Sequence, residues 1–310
     1  MAHRKPRPHK ELLMTDKELA TLLIPIPDDA NKYTRGSLLI LAGSVRFPGA
    51  AVLAARAAAR AGAGYVTLAI PEPATQVAQG HLLSVPVIAA PSQDGVFAAD
   101  AWETIKGQVN HIDAIVLGPG LTVSPSTSAF VQSVVQGATV PILIDADALN
   151  ALAAFCAEND GLPSWLTGRA KEYGKETTGP QRLVLTPHAG ELKRLLDATQ
   201  ASTVEALAQL SNSVIVAKGP TTRIVSPTQS ASSTTGTAAL AKAGTGDVLS
   251  GIIGSLLAQG IPVYDAAVLG VEVHGRAGQV AEHKLGRRSV CAEDVLDAIP
   301  TILQNLDTTV

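Results

Sequence analysis

The chain has 310 residues, 46% of them hydrophobic and 16% charged, with a formal net charge of −3 at pH 7. This composition supplies apolar surface for a large core and argues against disorder, and the charge balance lacks the basic footprint of a nucleic-acid binder. No run reaches the roughly 18 uninterrupted apolar residues of a membrane span, and Cys156 and Cys291, far apart and outside any CxxC pair, suggest neither a disulfide framework nor a zinc site.

Residues 1–20 are expected to be a flexible basic tail without the apolar run of a signal peptide, and residues 21–310 a single catalytic domain, located in the cytoplasm. The spacing predicts a strand over 37–42, a helix over 49–61, and strands over 65–70 and 112–117. A helix over 125–136 and a strand over 140–144 follow, and then a polar, Gly- and Pro-containing insertion over 156–181. Beyond it come a strand over 182–185, a helix over 190–196, a strand over 214–217 and a hairpin of 223–226 with 230–233 around Pro227. Helices over 244–259, 265–282 and 292–303 complete the chain. Short apolar strands alternating with helices predict an α/β fold, a mostly parallel central sheet with helices on both faces.

The chemistry concentrates where strands end. Gly244-Thr245-Gly246-Asp247 opens an apolar helix, and the free N–H groups and dipole of such a first turn bind phosphate. Asp247 there has two readings, a base for an attacking hydroxyl or a helix cap, and the two glycines before it favour the base. Gly118-Pro119-Gly120 follows one strand, at the sheet edge where α/β folds bind ligands; alone it also reads as a tight turn. After the next strand stand two carboxylates, Asp145 and Asp147, and the Asn150 amide; Asp145 or Asp147 would either cap a helix or face Mg²⁺ directly or through water. His188, in Thr186-Pro187-His188, would hydrogen-bond substrate, and Glu191 would act through a metal-bound water; a structural His at a helix start is the competing reading. Lys218-Gly219-Pro220-Thr221-Thr222 forms a turn suited to framing a nucleotide, and the small residues Gly43, Ser44, Gly49 and Ala50 allow a planar ligand or a neighbouring backbone to approach. The P-loop signature GxxxxGK[ST] and the GxGxxG spacing are both missing.

Taken together, Gly36 to Ser44, Pro48 to Ala51, Arg60 to Thr67, Gly118 to Leu121, Asp145 to Asn150, Thr186 to Glu191, Lys218-Gly219 and Gly244 to Asp247 resemble the ADP- or ATP-dependent NAD(P)H-hydrate dehydratases of ribokinase-like fold. The likeness runs from about residue 36 to 300, and the combination is far more specific than any single motif. It implies repair of hydrated NADH and NADPH: the nucleotide phosphorylates the ring hydroxyl, and phosphate then leaves. ADP would give AMP and phosphate. The resemblance further implies that Asp247 activates the hydroxyl while Gly244, Thr245 and Gly246, with Mg²⁺, stabilise the transferring group. Ala50, Gly120, His188 and Asp247 become contacts to the hydrated cofactor, and Lys218 to Thr222 with Gly246 contacts to the adenine nucleotide. Asp145 and Glu191 become the candidate metal ligands. It also implies a stand-alone homo-oligomer, with a tetramer as the candidate state; the charge balance and the lack of a long apolar run predict binding to neither nucleic acid nor membrane.

The chain departs from the family in two places, Thr122 where a further Gly often follows Gly-Pro-Gly-Leu, and Thr237-Ala238 where Asn-Pro is common. The competing functions are a ribokinase-like kinase for a vitamin precursor or sugar, whose product would keep its phosphate, and a nucleotide-binding regulator without turnover.

Overall fold

A computed structural model describes residues 10–11, 14–159, 161 and 182–309. Most of the insertion expected at 156–181 therefore lies outside the described residues. The chain runs β1 (Lys10–Glu11), α1 (Asp16–Ala20), β2 (Ser37–Leu41), α2 (Pro48–Arg60), β3 (Tyr65–Pro71), α3 (Thr75–His81) and β4 (Val87–Ala90). A small hairpin, β5 (Ser92–Gln93) and β6 (Val96–Phe97), leads to α4 (Ala101–Lys106), β7 (Ala114–Leu117), α5 (Pro125–Gly137), β8 (Ile142–Ile144) and α6 (Ala146–Glu158). Then come β9 (Leu183–Leu185), α7 (Ala189–Thr199), α8 (Val204–Ser211), β10 (Val214–Ala217), β11 (Thr222–Val225) and β12 (Ser230–Ser233). Three long helices close the fold: α9 (Thr245–Ala258), α10 (Val263–Leu285) and α11 (Ala292–Asp307).

The main sheet has the order β1-β12-β11-β10-β9-β8-β7-β2-β3-β4. From β10 across to β4 every neighbouring pair is parallel, and the expected hairpin is the antiparallel pair β11–β12. Every residue of β2, β7, β8 and β9 is buried, which is why these strands read as continuous apolar runs. Period-two alternation divides their side chains between two cores: Leu38 and Ile40 join α2, α9, α10 and α11 on one face, while Leu39 and Leu41 join α4 to α8 on the other. From β2 the chain first builds outward through β3 and β4, then returns to place β7 on the opposite side of β2. The carboxyl ends of β2 and β7 thus flank a topological switch point, where α/β sheets open a crevice.

The described part of the expected tail does not hang free. β1 pairs with β12 in parallel, Thr15 and Glu18 form a capping box on α1, and Leu19 is fully buried. Arg276 of α10 also bonds Asp16 and the Met14 carbonyl.

Close approach of α9 to α2 brings the first turn of α9 up to the sheet. A Cβ at Gly251 would overlap the Ala54 carbonyl oxygen, so this crossing requires glycine. Gly251→Ala is expected to cost about 1–3 kcal/mol through overpacking, whereas Gly80→Ala, where an added methyl meets nothing within 4 Å, should stabilise α3 by up to about 1 kcal/mol. Denaturant midpoints of the two variants check this; equal stability of Gly251→Ala and the parent would contradict the packing.

Candidate active site

Three consecutive parallel strands deliver the site. β8 ends at Asp145, β9 at Thr186-Pro187-His188, and β10 at Lys218, with the Lys218 amide donating to the Pro187 carbonyl at 2.9 Å. Asp145 occupies the N-cap position of α6 but makes no capping bond. Its Oδ1 instead accepts from Lys218 Nζ at 2.8 Å, and its Oδ2 from Ser250 Oγ at 2.6 Å. Ser250 follows Asp247 by three residues on α9 and so lies on the same helix face; one buried carboxylate therefore joins β8, β10 and α9.

Electrostatics set the proton affinities. Burial pushes the Asp145 carboxyl up, but Lys218 and the Ser250 and Thr186 hydroxyls outweigh it and hold it below 3.8. Burial works against the Lys218 ammonium, yet Asp145, Glu191 and Asp247 hold its pKa above 10.5. The Asp247 carboxyl has no hydrogen-bond partner among the described residues. Its pKa is pushed up to about 7, first by burial and then by Asp145, against the pull of Lys218. Gly244, at φ +90°, is the N-cap of α9 and supplies no side chain. Asp247 is therefore not the cap, and its free carboxyl half-titrates at neutrality, as a general base should. The adjoining N–H groups of Thr245, Gly246 and Asp247 have no intrahelical partner by position.

The switch point forms a second half. The Gly43 amide donates to the Pro119 carbonyl at 2.7 Å, and Gly120 packs against Ala50 and Phe47, bringing two of the expected substrate contacts together. Thr122 adopts φ +64°, the left-handed region that costs a β-branched residue about 1–2 kcal/mol. The strained turn is held by the Thr122 amide on Asp147 Oδ2 at 2.8 Å and the Thr122 hydroxyl against Ser44 Oγ at 2.9 Å. Asp147 thus anchors a loop and is not a cap. Asn150 leaves the site, because its Oδ1 accepts from Arg194 Nε on α7 at 3.0 Å.

His188 and Glu191 form a reciprocal cap on α7. His188 Nδ1 accepts from the Gly190 and Glu191 amides, while Glu191 Oε2 accepts from the His188 amide at 2.8 Å. The second ring nitrogen, Nε2, lies 3.3 Å from Glu191 Oε1, so both nitrogens are engaged. Glu191 is raised above 4.5, chiefly by burial.

A cavity of about 560 Å³ opens beside the first turn of α9. Of the expected nucleotide contacts, Lys218, Gly219, Pro220, Thr222 and Gly246 line it, whereas Thr221 does not. His188, expected to touch the hydrated cofactor, also lines this cavity. Thr237 caps the short turn Ala238–Leu240 by accepting from the Ala239 amide at 2.8 Å, so the Thr-Ala pair preserves a capped turn where Asn-Pro is common. Sequence reasoning missed Ser250 and His274. The three-residue spacing from Asp247 signalled the first; the second is brought in by α10 and had no local signal.

Magnesium fits the donor set only in part. Among the described residues no three His, Cys, Asp or Glu side chains converge on one metal position. Asp145 is one of the two expected ligands, and both its oxygens already accept a hydrogen bond, from Lys218 and from Ser250, so a metal there would compete with the ammonium for the same carboxylate. The carboxylates around Lys218 suit an ion held through water.

The sequence matches the family model described as NAD(P)H-hydrate dehydratase over residues 38–301. It is 32% identical over 293 residues to the ADP-dependent (S)-NAD(P)H-hydrate dehydratase of Neisseria meningitidis serogroup B, covering 92% of this chain and 90% of that protein. It is 36% identical over 282 residues to the bifunctional NAD(P)H-hydrate repair enzyme of Salinibacter ruber, covering 88% of this chain. The chain spans about half the length of that relative and of other bifunctional relatives it matches. The crystal structure of a Bacillus subtilis ADP/ATP-dependent NAD(P)H-hydrate dehydratase co-crystallised with ATP and Mg²⁺ superposes with TM-score 0.73 at 28% identity, over 94% of this chain and 97% of that one. A ribokinase-like superfamily protein from Enterococcus faecalis superposes with TM-score 0.76 at 21% identity, over 98% and 100% of the two chains, a likeness of fold.

The buried pair makes a stability prediction. Lys218→Met leaves Asp145 charged and unpaired in the interior, at a cost of about 3 kcal/mol. The lowered Asp145 contributes stability that is complete above its ordinary 3.8 and is lost as pH falls through its folded value; the raised Lys218 contributes stability that is complete below 10.5 and is lost as pH rises through its own. The parent's advantage over Lys218→Met should therefore form a plateau between those limits. Urea unfolding across pH measures it, and a difference unchanged at the acid end would contradict the pairing.

Proposed function

The chain belongs to the NAD(P)H-hydrate dehydratase family, and from that premise we propose that it returns hydrated NADH and NADPH to NAD(P)H at the expense of an adenine nucleotide. One observation carries the reading: Asp247, a carboxyl with a pKa pushed up to about 7, stands on the first turn of α9, whose Thr245 and Gly246 line a cavity of about 560 Å³.

Hydroxide leaves the hydrated ring poorly, and phosphate leaves well. In the proposed reaction Asp247 takes the proton of the ring hydroxyl as the hydroxyl oxygen attacks the terminal phosphoryl group of ADP or ATP. The bond to the bridging oxygen breaks, and AMP or ADP departs. The ring nitrogen lone pair then expels phosphate, and loss of a ring proton restores the dihydronicotinamide. The N–H groups of Thr245, Gly246 and Asp247 stabilise the charge on the transferring group, and Lys218 supplies a fixed positive charge beside it. The Ala50–Gly120 face at the switch point would receive the hydrated ring. Mg²⁺, held through water by Glu191 and Asp145, would supply charge neutralisation on the nucleotide phosphates.

Incubation of the protein with hydrated NADH, Mg²⁺ and ADP or ATP, followed by the return of reduced-nicotinamide absorbance, tests the proposal. Recovery should depend on nucleotide, fall about 10²- to 10⁴-fold in Asp247→Asn, and rise with pH through about 7, because the base must be ionised. A product that retains phosphate, or full activity in Asp247→Asn, would overturn it.

A further inference from the structure

His274, on α10, forms part of the wall of the 560 Å³ cavity, beside Val271, Leu240, Thr237 and Gly275. Its Nε2 lies 2.9 Å from the Thr245 carbonyl oxygen. A carbonyl only accepts, so Nε2 carries the proton and Nδ1 presents a lone pair. Nδ1 has no hydrogen-bond partner among the described residues, and it is not among the sealed buried polar atoms; it therefore opens onto the cavity that the ring lines. Burial, reinforced by Lys218, pushes the imidazole down to about 4 against the raising effect of the Thr245 bond, so the ring is neutral and this tautomer persists at physiological pH. An acceptor on a mainly apolar wall calls for a donor from whatever fills the space.

Resting on the nucleotide-binding reading above, we propose that His274 Nδ1 accepts a hydrogen bond from the nucleoside half of the nucleotide, either the ribose 2′-hydroxyl or the exocyclic amino group of the purine, and thereby selects the nucleotide. The same ring holds the Thr245 carbonyl, on the turn that offers N–H groups to the phosphates. One residue thus links recognition of the nucleoside to the position of the phosphate-binding turn.

Calorimetric titration of the full chain with ADP, 2′-deoxy-ADP and purine riboside 5′-diphosphate, for the parent and for His274→Phe, tests this. Loss of one neutral hydrogen bond corresponds to about 3- to 10-fold in Kd. One analogue should bind the parent that much more weakly than ADP, and its identity reports whether the hydroxyl or the amino group is read. The gap should close in His274→Phe, which keeps ring bulk and loses the acceptor. Equal affinities of all three for the parent overturn the proposal, as does a gap that persists in folded His274→Phe. In ¹⁵N-histidine-labelled parent protein the Nδ1 resonance should shift with ADP and not with inorganic pyrophosphate; an unmoved resonance contradicts the proposal without any need for the variant to fold. Binding of ADP without dehydration would overturn the activity alone, whereas absence of binding by both ADP and ATP would overturn both readings.

Discussion

A single buried carboxylate, Asp145, ties the two layers of this molecule together. Its oxygens bind Lys218 at the end of β10 and Ser250 in α9, so the ends of the central strands and the first turn of the long apolar helix are held in fixed relation. Removing Lys218 would leave the Asp145 charge unpaired in the interior, an arrangement proteins tolerate poorly. The pair is accordingly a constraint on geometry more than a source of net stability. Lys218, held by this pair, also lines the cavity beside the first turn of α9.

The same carboxylate shapes the chemistry. Asp145 lies close enough to Asp247 to add its charge to the effect of burial, and the result is a carboxyl poised at neutrality on a helix turn rich in free N–H groups. Around this centre the fold divides the work between the switch point, where Gly120 and Ala50 meet, and the cavity between β10, β11 and α10. Thr122 shows what holding the first half costs: a β-branched residue is kept in left-handed geometry by Asp147 and Ser44. Strain of this kind, over-determined by neighbouring bonds, is typical of functional loops.

Much of this was legible in the sequence for identifiable reasons. Strands buried on both faces announce themselves as apolar runs, and β10 begins and ends where the spacing predicts. The Gly-rich turn before Asp247 signalled an anion site because a cap needs no glycine. Less legible were β4, a half-exposed edge strand after Pro86, and α6, whose Ala- and Leu-rich sequence directly follows the carboxylates and was obscured by them. Asn150 misled because helix rotation turns it toward Arg194 on α7. His274 was invisible because its placement depends on a contact with Thr245, 29 residues away in sequence on the neighbouring helix, and local pattern carries no information about such a meeting.

The account stands on Asp247 being a free carboxyl raised by its surroundings. The direct measurement is a ¹³C titration of the Asp247 carboxyl in the folded, selectively labelled protein, with Asp145→Asn alongside for comparison. A midpoint near 7 that falls when the Asp145 charge is removed would bear out the arrangement; a midpoint near 3.8, indifferent to Asp145, would contradict it.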